Sequence, residues 1–187
     1  MLLRFLTFGC FMVFALLLQA QSQADVRERQ IKSVDVTATD YKKSKQVRRT
    51  FTRYNRKGNV TELIEYGKDG NTIENWTRYR YNRKGRIVSE AQLTPSGDTL
   101  QIMHTRYNRF RHPVETVTTN AAGQVLEKEV PTYDNFHRKT QELTFSGNGT
   151  VLKRVTYEYD AKGMLIARRT YDAEGNLQYE KLWKVEY

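Results

Sequence analysis

The sequence predicts an all-β protein, an antiparallel β-meander of about eleven strands. The first observation is a five-residue segment, Tyr-Asp-Ala-Lys-Gly at residues 159–163, whose copies begin 27, 26, 26 and 26 residues apart. The second is another series of turn-forming segments midway between those copies. The third is the absence of helical periodicity from Gln46 onward. Together they indicate a repeating unit of 26 residues that contains two turns and two strands.

The five-residue segment has the composition of a tight hairpin turn. An Asn or Asp follows the tyrosine and accepts a hydrogen bond from the backbone two residues on, and a glycine three positions later adopts the left-handed conformation. This is the common hairpin loop with a bulge at the left-handed residue. Arg111 and His137 occupy the glycine position in two copies, which predicts either a relaxed turn or side chains displayed for function at a strain of about 1 kcal/mol. The copies are residues 54–58, 81–85, 107–111, 133–137 and 159–163.

The second series of turns has the same chemistry but one irregular interval. Gly70 and Gly85 are one residue further apart than the corresponding glycines elsewhere. An uncorrected extra residue would turn every later side chain to the opposite face of the sheet. We therefore predict a β-bulge between Asn71 and Tyr81, near Trp76. The second series comprises residues 67–70, 94–97, 120–123, 146–149 and 172–175.

The turn geometry also predicts which side chains share a face. A loop of this type pairs each tyrosine with the second residue after the glycine position, and alternate residues then stay on the same side. We expect one apolar face with the tyrosines, Ile64 and Ala91, and an opposite polar face with Arg53 and Arg80. A sheet this wide rarely stays open, so we expect a curled or twisted single sheet, with a closed barrel as the alternative. The expected tyrosine partners are Val60, Ile87, Pro113, Lys139 and Leu165.

The segment before the repeats divides into two parts. Residues 1–24 read as a secretory signal, with an apolar run over Phe5–Leu18 and a small-x-small site at residues 22–24. The run is too short for a comfortable membrane span, so we expect no transmembrane segment after signal removal, with a retained anchor as the alternative. Cys10 is the only cysteine and falls inside this segment. Residues 25–45 are assigned to an N-terminal strand and connector, and residues 46–187 to the repeat domain.

Residues 157–165 and 171–177 resemble the YD repeats of the Rhs and teneurin families and of short secreted repeat proteins of Bacteroidetes-type bacteria. The likeness covers residues 46–187 and is sharp at 157–177. It weakens at 107–137, where Asn replaces Asp in one copy and the glycine is lost. The resemblance implies curved β-structure, a structural or binding scaffold, and no catalytic residues. About five units are too few for an encapsulating shell.

Positive charge is concentrated in the first half of the chain. Residues 25–112 contain 20 Lys or Arg and 10 Asp or Glu, whereas residues 113–187 contain 10 and 11. The arginines near the early turns either form a solvated face that discourages edge association or attract an anionic partner. The candidate ligand-binding residues are Arg53, Arg56, Arg78, Arg80, Arg83, Arg106, Arg109 and Arg111.

The sequence contains no recognisable catalytic set. His104, His112 and His137 lack metal-ligand spacing, and no serine lies in a Gly-x-Ser-x-Gly motif. No glycine-rich phosphate loop precedes a helix. We therefore predict that the protein is not an enzyme and needs no cofactor or metal, with an enzyme working in a curved groove as a lower-ranked alternative.

These features predict a non-catalytic exported repeat protein that acts as a binding or scaffolding module in the bacterial envelope or outside the cell. The alternative is a specific binder of an anionic ligand, through an arginine-rich ridge in residues 53–111. That ligand would be a lipid head group, an acidic glycan or an acidic protein, while the export signal disfavours nucleic acid. The expected location is periplasmic, outer-surface or secreted, and the sequence leaves the oligomeric state open.

Overall fold

The computed structural model describes residues 22–41 and 45–187 as one short helix and twelve strands. Most of the predicted signal, up to residue 21, and part of the connector at 42–44 lie outside these residues. The elements are α1 (Gln23–Glu28), β1 (Ser33–Asp40), β2 (Lys45–Tyr54), β3 (Val60–Tyr66), β4 (Ile73–Tyr81), β5 (Ile87–Leu93), β6 (Thr99–Tyr107), β7 (Pro113–Asn120), β8 (Val125–Tyr133), β9 (Lys139–Ser146), β10 (Val151–Tyr159), β11 (Leu165–Tyr171) and β12 (Leu177–Leu182).

The strands form one open antiparallel meander. Their order in the sheet follows the chain from β1 to β12, and each strand pairs with its neighbours in sequence. Strands β1 and β12 are the two edges, so the predicted all-β meander is confirmed and the closed-barrel alternative is wrong. The eleven expected strands of the repeat domain are β2–β12, and the expected edge strand is β1.

The turns have the hydrogen bonds that their residues predict. In the first turn the Gly58 amide donates to the Asn55 carbonyl at 2.9 Å, and the Asn55 side chain accepts from the amides of Lys57 and Asn59 at 2.9 and 3.1 Å. Gly58 has a φ of +77°, which a side chain adopts only with strain. The same pattern recurs in the later copies, so the repeat is a structural repeat.

Each turn tyrosine pairs with the residue that the loop geometry predicts. Tyr81 lies opposite Ile87, and Tyr107, Tyr133 and Tyr159 lie opposite Pro113, Lys139 and Leu165. Because the four pairings are equivalent, the tyrosines share one side of the sheet, which we call the tyrosine face.

The predicted continuation of that face is wrong, because each strand from β3 to β12 begins with a bulge. Tyr54 lies opposite Val60, whereas Arg53 lies opposite Glu62, so no residue of β2 lies opposite Thr61. The skipped residue moves Glu62 and then Ile64 to the side opposite the tyrosines. Ile64 and Ala91 therefore lie with Arg53, Arg78, Arg80 and Arg106 on what we call the arginine face, as the pairing of Arg78 with both Glu62 and Ala91 shows.

The extra residue before Gly85 is accommodated differently from the prediction. The Gly67 amide donates to the carbonyl of Thr72, one residue further on than the equivalent bond from Thr94 to Asp98. A register shift occurs in β4 at Glu74, within the predicted range, but the sibling strands have the same shift. The insertion therefore lies in the turn, where the Asp69 carboxylate accepts from the amides of Asn71 and Thr72 at 3.0 and 2.9 Å.

Helix α1 crosses the predicted cleavage boundary and packs on the first turn. Ser22 caps it with a capping box, and Val26 is 1% exposed. The Gln23 side chain donates to that of Asn59 at 2.6 Å. A Cβ added to Gly58 would lie 2.5 Å from the Gln23 carbonyl oxygen, so the helix fits only against a glycine.

The sheet has a small apolar core. The buried hydrophobic residues are Val26, Ile64, Leu93, Val155 and Ala167, spread from the helix to β11. A single sheet lacks a second layer to cover either face. Side chains that lie across neighbouring strands therefore provide most of the packing.

Candidate functional site

The meander places alternate turns at the same end of the sheet. One end, which we call the basic end, is formed by the turns that directly follow the repeated tyrosines, residues 55–59, 82–86, 108–112, 134–138 and 160–164. They contain nine Lys or Arg and two Asp, a net charge of +7. The other five turns, residues 67–72, 94–98, 120–124, 146–150 and 172–176, form the opposite end. They contain one Lys and four Asp or Glu, a net charge of −3, so the sheet is electrostatically polar along its strands.

The two turns without glycine keep the geometry of the others. Arg111 and His137 have φ angles of +75° and +63°. The Arg111 amide still donates to the Asn108 carbonyl at 3.0 Å, and the His137 amide to the Asp134 carbonyl at 3.0 Å. The alternative of a relaxed turn is therefore wrong. A side chain in this conformation is strained, and its retention needs a compensating contact.

For His137, that contact is an aromatic cluster that joins the two turns. The Phe110 and His137 rings lie 4.3 Å apart, and the His112 ring lies 4.8 Å from Tyr133 and 5.6 Å from His137. Phe110 is still 46% exposed, and Phe136, at the next tip, is 77% exposed. The sequence analysis missed these phenylalanines. The available signal was that Lys becomes Phe in the same two turns that lose glycine.

Two arginines, Arg86 and Arg138, each contact the following turn at the basic end. The Arg86 guanidinium lies 5.4 Å from the centre of the Tyr107 ring and donates to the Arg111 carbonyl. The Arg138 guanidinium makes the same ring contact with Tyr159, at 4.8 Å. These guanidinium groups stack on rings and stabilise the basic end.

The structure divides the eight candidate arginines into two groups. Four lie at turn tips and are exposed, and no ion pair to any of them is found among the described residues. The Arg109 guanidinium lies over the Phe110 ring at 4.6 Å. These groups are therefore available to an anion in solution. The tip residues are Arg56, Arg83, Arg109 and Arg111.

The other four arginines are on strands of the arginine face, and three of them already have an ion pair. Arg53 and Arg78 pair with Glu62 at 3.3 and 2.9 Å, and Arg106 pairs with Glu115 at 3.2 Å. Arg80 lines a shallow groove of about 150 Å³ that includes Ser89, Ala91 and His104. The predicted ridge is thus a row of free tip arginines and a separate set of mainly paired strand arginines.

Glu62 is the carboxylate that organises the strand group. Its side chain is 6% exposed and accepts hydrogen bonds from Trp76 Nε1 and Arg78 Nε, both at 2.9 Å. Burial alone would raise the pKa of Glu62, but the hydrogen bonds from Arg78 and Trp76 and the nearby Arg53 hold that pKa below its usual range. Glu62 is therefore charged at neutral pH.

The tyrosine face carries the groups whose pKa is raised by burial. Burial raises the pKa of Glu90 and of Glu129, and the neighbouring Glu142 and Glu127 raise that of Glu129 further. Burial also raises the pKa of Tyr81 to about 12. Among the described residues no cluster of three or more His, Cys, Asp or Glu is arranged to hold a metal ion. In the same part of the chain, α1 is too short to cross a membrane.

Neither a protein-family model nor a curated protein matches the chain. Among solved structures, it overlaps the Tc holotoxin pore of Photorhabdus luminescens with 14% identity and a TM-score of 0.44, over 79% of this chain and 9% of that one. A porin-like protein from Bacteroides uniformis overlaps with 12% identity and a TM-score of 0.41, over 80% of this chain and 54% of that one. The chain thus spans about a tenth and about half of these two proteins. The likeness concerns part of a β-sheet, and no family or function follows from it.

Proposed function

We propose that this chain is a non-catalytic exported repeat protein that acts as a binding module in the bacterial envelope or outside the cell, and that its basic end holds an anionic partner. The observation that carries the proposal is the segregation of charge, +7 at one end of the sheet against −3 at the other. A field of one sign at one end attracts and orients a charged partner.

The tip arginines support this function better than the strand arginines do. Arg53 and Arg78 share the buried Glu62, so binding an anion there would compete with an existing pair. Arg56, Arg83 and Arg109 are exposed at the tips, and a partner that binds them breaks no ion pair with a described residue. A solvated end that only maintains solubility is the competing explanation, and it predicts no preference for these positions.

The export and the absence of catalysis are parts of the proposal that rest on the sequence. The apolar run at residues 5–18 favours export. The sequence has no recognisable nucleophile placed beside a general base, which favours a non-catalytic role. The partner is a protein, a glycan or a lipid surface with negative charge.

Retention on immobilised heparin across a salt gradient tests the anion-binding role. The variant Arg56→Ser/Arg83→Ser/Arg109→Ser should elute at clearly lower salt than the wild type, since it removes three free cations from the basic end. The control Lys68→Ser/Lys128→Ser/Lys153→Ser has the same net charge but changes positions at or near the opposite end. Equal losses in both variants would show that only net charge matters and would overturn the role of the basic end.

A further inference from the structure

The basic end combines cations with exposed apolar side chains at its turn tips. Phe110, Phe136 and Met164 are 46%, 77% and 50% exposed and occupy the third, fourth and fifth of its turns. Lys57 and Lys84 stand at the position of Phe110 and Phe136 in the first two turns. The end therefore changes along its length from purely cationic tips to tips that mix apolar and cationic groups.

The phenylalanines are held outward by their surroundings. The His137 ring, from the next turn, lies 4.3 Å from that of Phe110 at a tilt of 39°, and it does so from a strained left-handed backbone. Arg109 covers Phe110 at 4.6 Å, and Arg138 covers Phe136 at 5.0 Å. Each ring thus has a guanidinium beside it, and the tip of Phe136 still faces solvent.

Exposed apolar residues also occur near the opposite end, so exposure by itself does not distinguish the basic end. Leu126 and Leu152 are 46% and 45% exposed there. Those leucines lie beside uncharged turns, at an end of net charge −3, whereas the phenylalanines lie among cations. An anionic lipid surface takes up both kinds of group together, with cations at the phosphates and rings at the boundary of the acyl chains.

Resting on the proposed function, we propose that the partner of the basic end is the surface of an anionic lipid bilayer, into which Phe110 and Phe136 insert while the tip arginines bind lipid phosphates. The tips of successive turns at this end are two strands apart, about 10 Å. Five tips in a row therefore contact a broad surface at several points. A soluble polyanion satisfies the arginines but gives the exposed rings no apolar environment.

Co-sedimentation with vesicles of phosphatidylcholine, with and without phosphatidylglycerol, tests the proposal on residues 22–187, which contain α1 and all twelve strands. Circular dichroism of each variant serves as the control for retention of the β-sheet. The wild type should bind the anionic vesicles and not the neutral ones. Phe110→Ser/Phe136→Ser should weaken this binding about tenfold, since two aromatic side chains lose their apolar burial. The matched control Leu126→Ser/Leu152→Ser should bind as the wild type does.

The same variants on heparin separate this inference from the proposed function. Phe110→Ser/Phe136→Ser should elute from heparin at the salt concentration of the wild type, because its charge is unchanged. The bilayer inference would be overturned if that variant bound vesicles as the wild type does while heparin retention still depended on the tip arginines. The partner would then be an acidic glycan or protein. Loss of dependence on the arginines in both assays would overturn the proposed function as well. Equal binding to neutral vesicles would overturn the bilayer inference by itself.

Discussion

The hydroxyl of Tyr81, at the end of β4, donates a hydrogen bond to the main-chain carbonyl of Val60 in the neighbouring strand β3 at 2.6 Å. Tyr107 makes the same bond to Ile87 at 2.7 Å, and Tyr159 makes it to Lys139 at 2.9 Å. The acceptor in each case is the first residue of a strand, at the bulge. In these three copies the repeated tyrosine thus fastens a hairpin to the one before it, which gives its position in the repeat a structural role.

Replacing Tyr81 by Phe should lower the free energy of unfolding by about 1 kcal/mol, because the Val60 carbonyl loses a partner in a half-buried position. Urea denaturation measures the change. The control Tyr179→Phe removes a hydroxyl from a side chain that is 53% exposed and should cost much less. Equal losses in the two variants would contradict the role of the Tyr81 hydroxyl.

Stability should fall at alkaline pH through these tyrosines. Burial, followed by the charge of Glu90, raises the pKa of Tyr81 from 10.0 to about 12. The unfolded chain therefore releases this proton before the folded chain does, so its contribution to stability is complete below pH 10 and is lost as pH rises to about 12. Unfolding measured across this range should show the decline. Tyr81→Phe should make it shallower, and an unchanged slope would argue against the assignment.

Gly58 and Gly85 provide a matched pair of substitutions. Their φ angles are +77° and +76°, so alanine brings the same backbone strain of about 1 kcal/mol at each. A Cβ at Gly85 meets nothing within 4 Å, whereas at Gly58 it meets the Gln23 carbonyl oxygen at 2.5 Å. Gly58→Ala should therefore destabilise the protein more and release α1.

Limited trypsin digestion after Arg27 and Arg29 reports the release of the helix. Cleavage there should accelerate in Gly58→Ala and not in Gly85→Ala. If the two variants are cut at the same rate, α1 does not depend on the first turn for its position.

Glu62→Gln should lower the free energy of unfolding by about 1 to 3 kcal/mol, because it removes the charge that a buried carboxylate offers to two guanidinium groups. Since the pKa of Glu62 is below its usual 4.5, its contribution to stability is present above pH 4.5 and is lost as pH falls through the folded value. Denaturation at neutral and acidic pH should show a smaller acid dependence in the variant. The control Glu115→Gln removes a single pair from a side chain that is 29% exposed and should cost less.

The turns and their spacing could be predicted because their chemistry is local. Asn55 bonds to amides within four residues, and Gly58 adopts a conformation that its own missing side chain permits. The pairing of Tyr81 with Ile87 follows from the same loop. No distant residue is needed for any of these features.

The faces could not be predicted, because alternation is ambiguous in these strands. Leu63 and Ile64 are adjacent, as are Ile87 and Val88, so each strand offers an apolar residue to both sides. A bulge of one residue then decides the outcome, and the prediction that placed Ile64 with the tyrosines failed at that step. The composition of the strands contains no signal for the bulge.

The candidate site was predicted in part for a similar reason. The basic character of the early turns is visible in composition, but the availability of each arginine depends on register. Glu62 faces Arg53 and Arg78, whereas Glu65 three residues later lies on the other side of the sheet. Three of the four strand arginines are consequently paired, and the tip arginines have no ion pair with a residue that the structure describes.

Sequence alone determined where this chain reverses direction and how often, since a turn is specified by the residues within it. Only the tertiary structure decided which side chains share a face, which arginines remain free and which rings cluster at one end. Those outcomes depend on the register between strands, and a register is a property of two segments that no single segment contains.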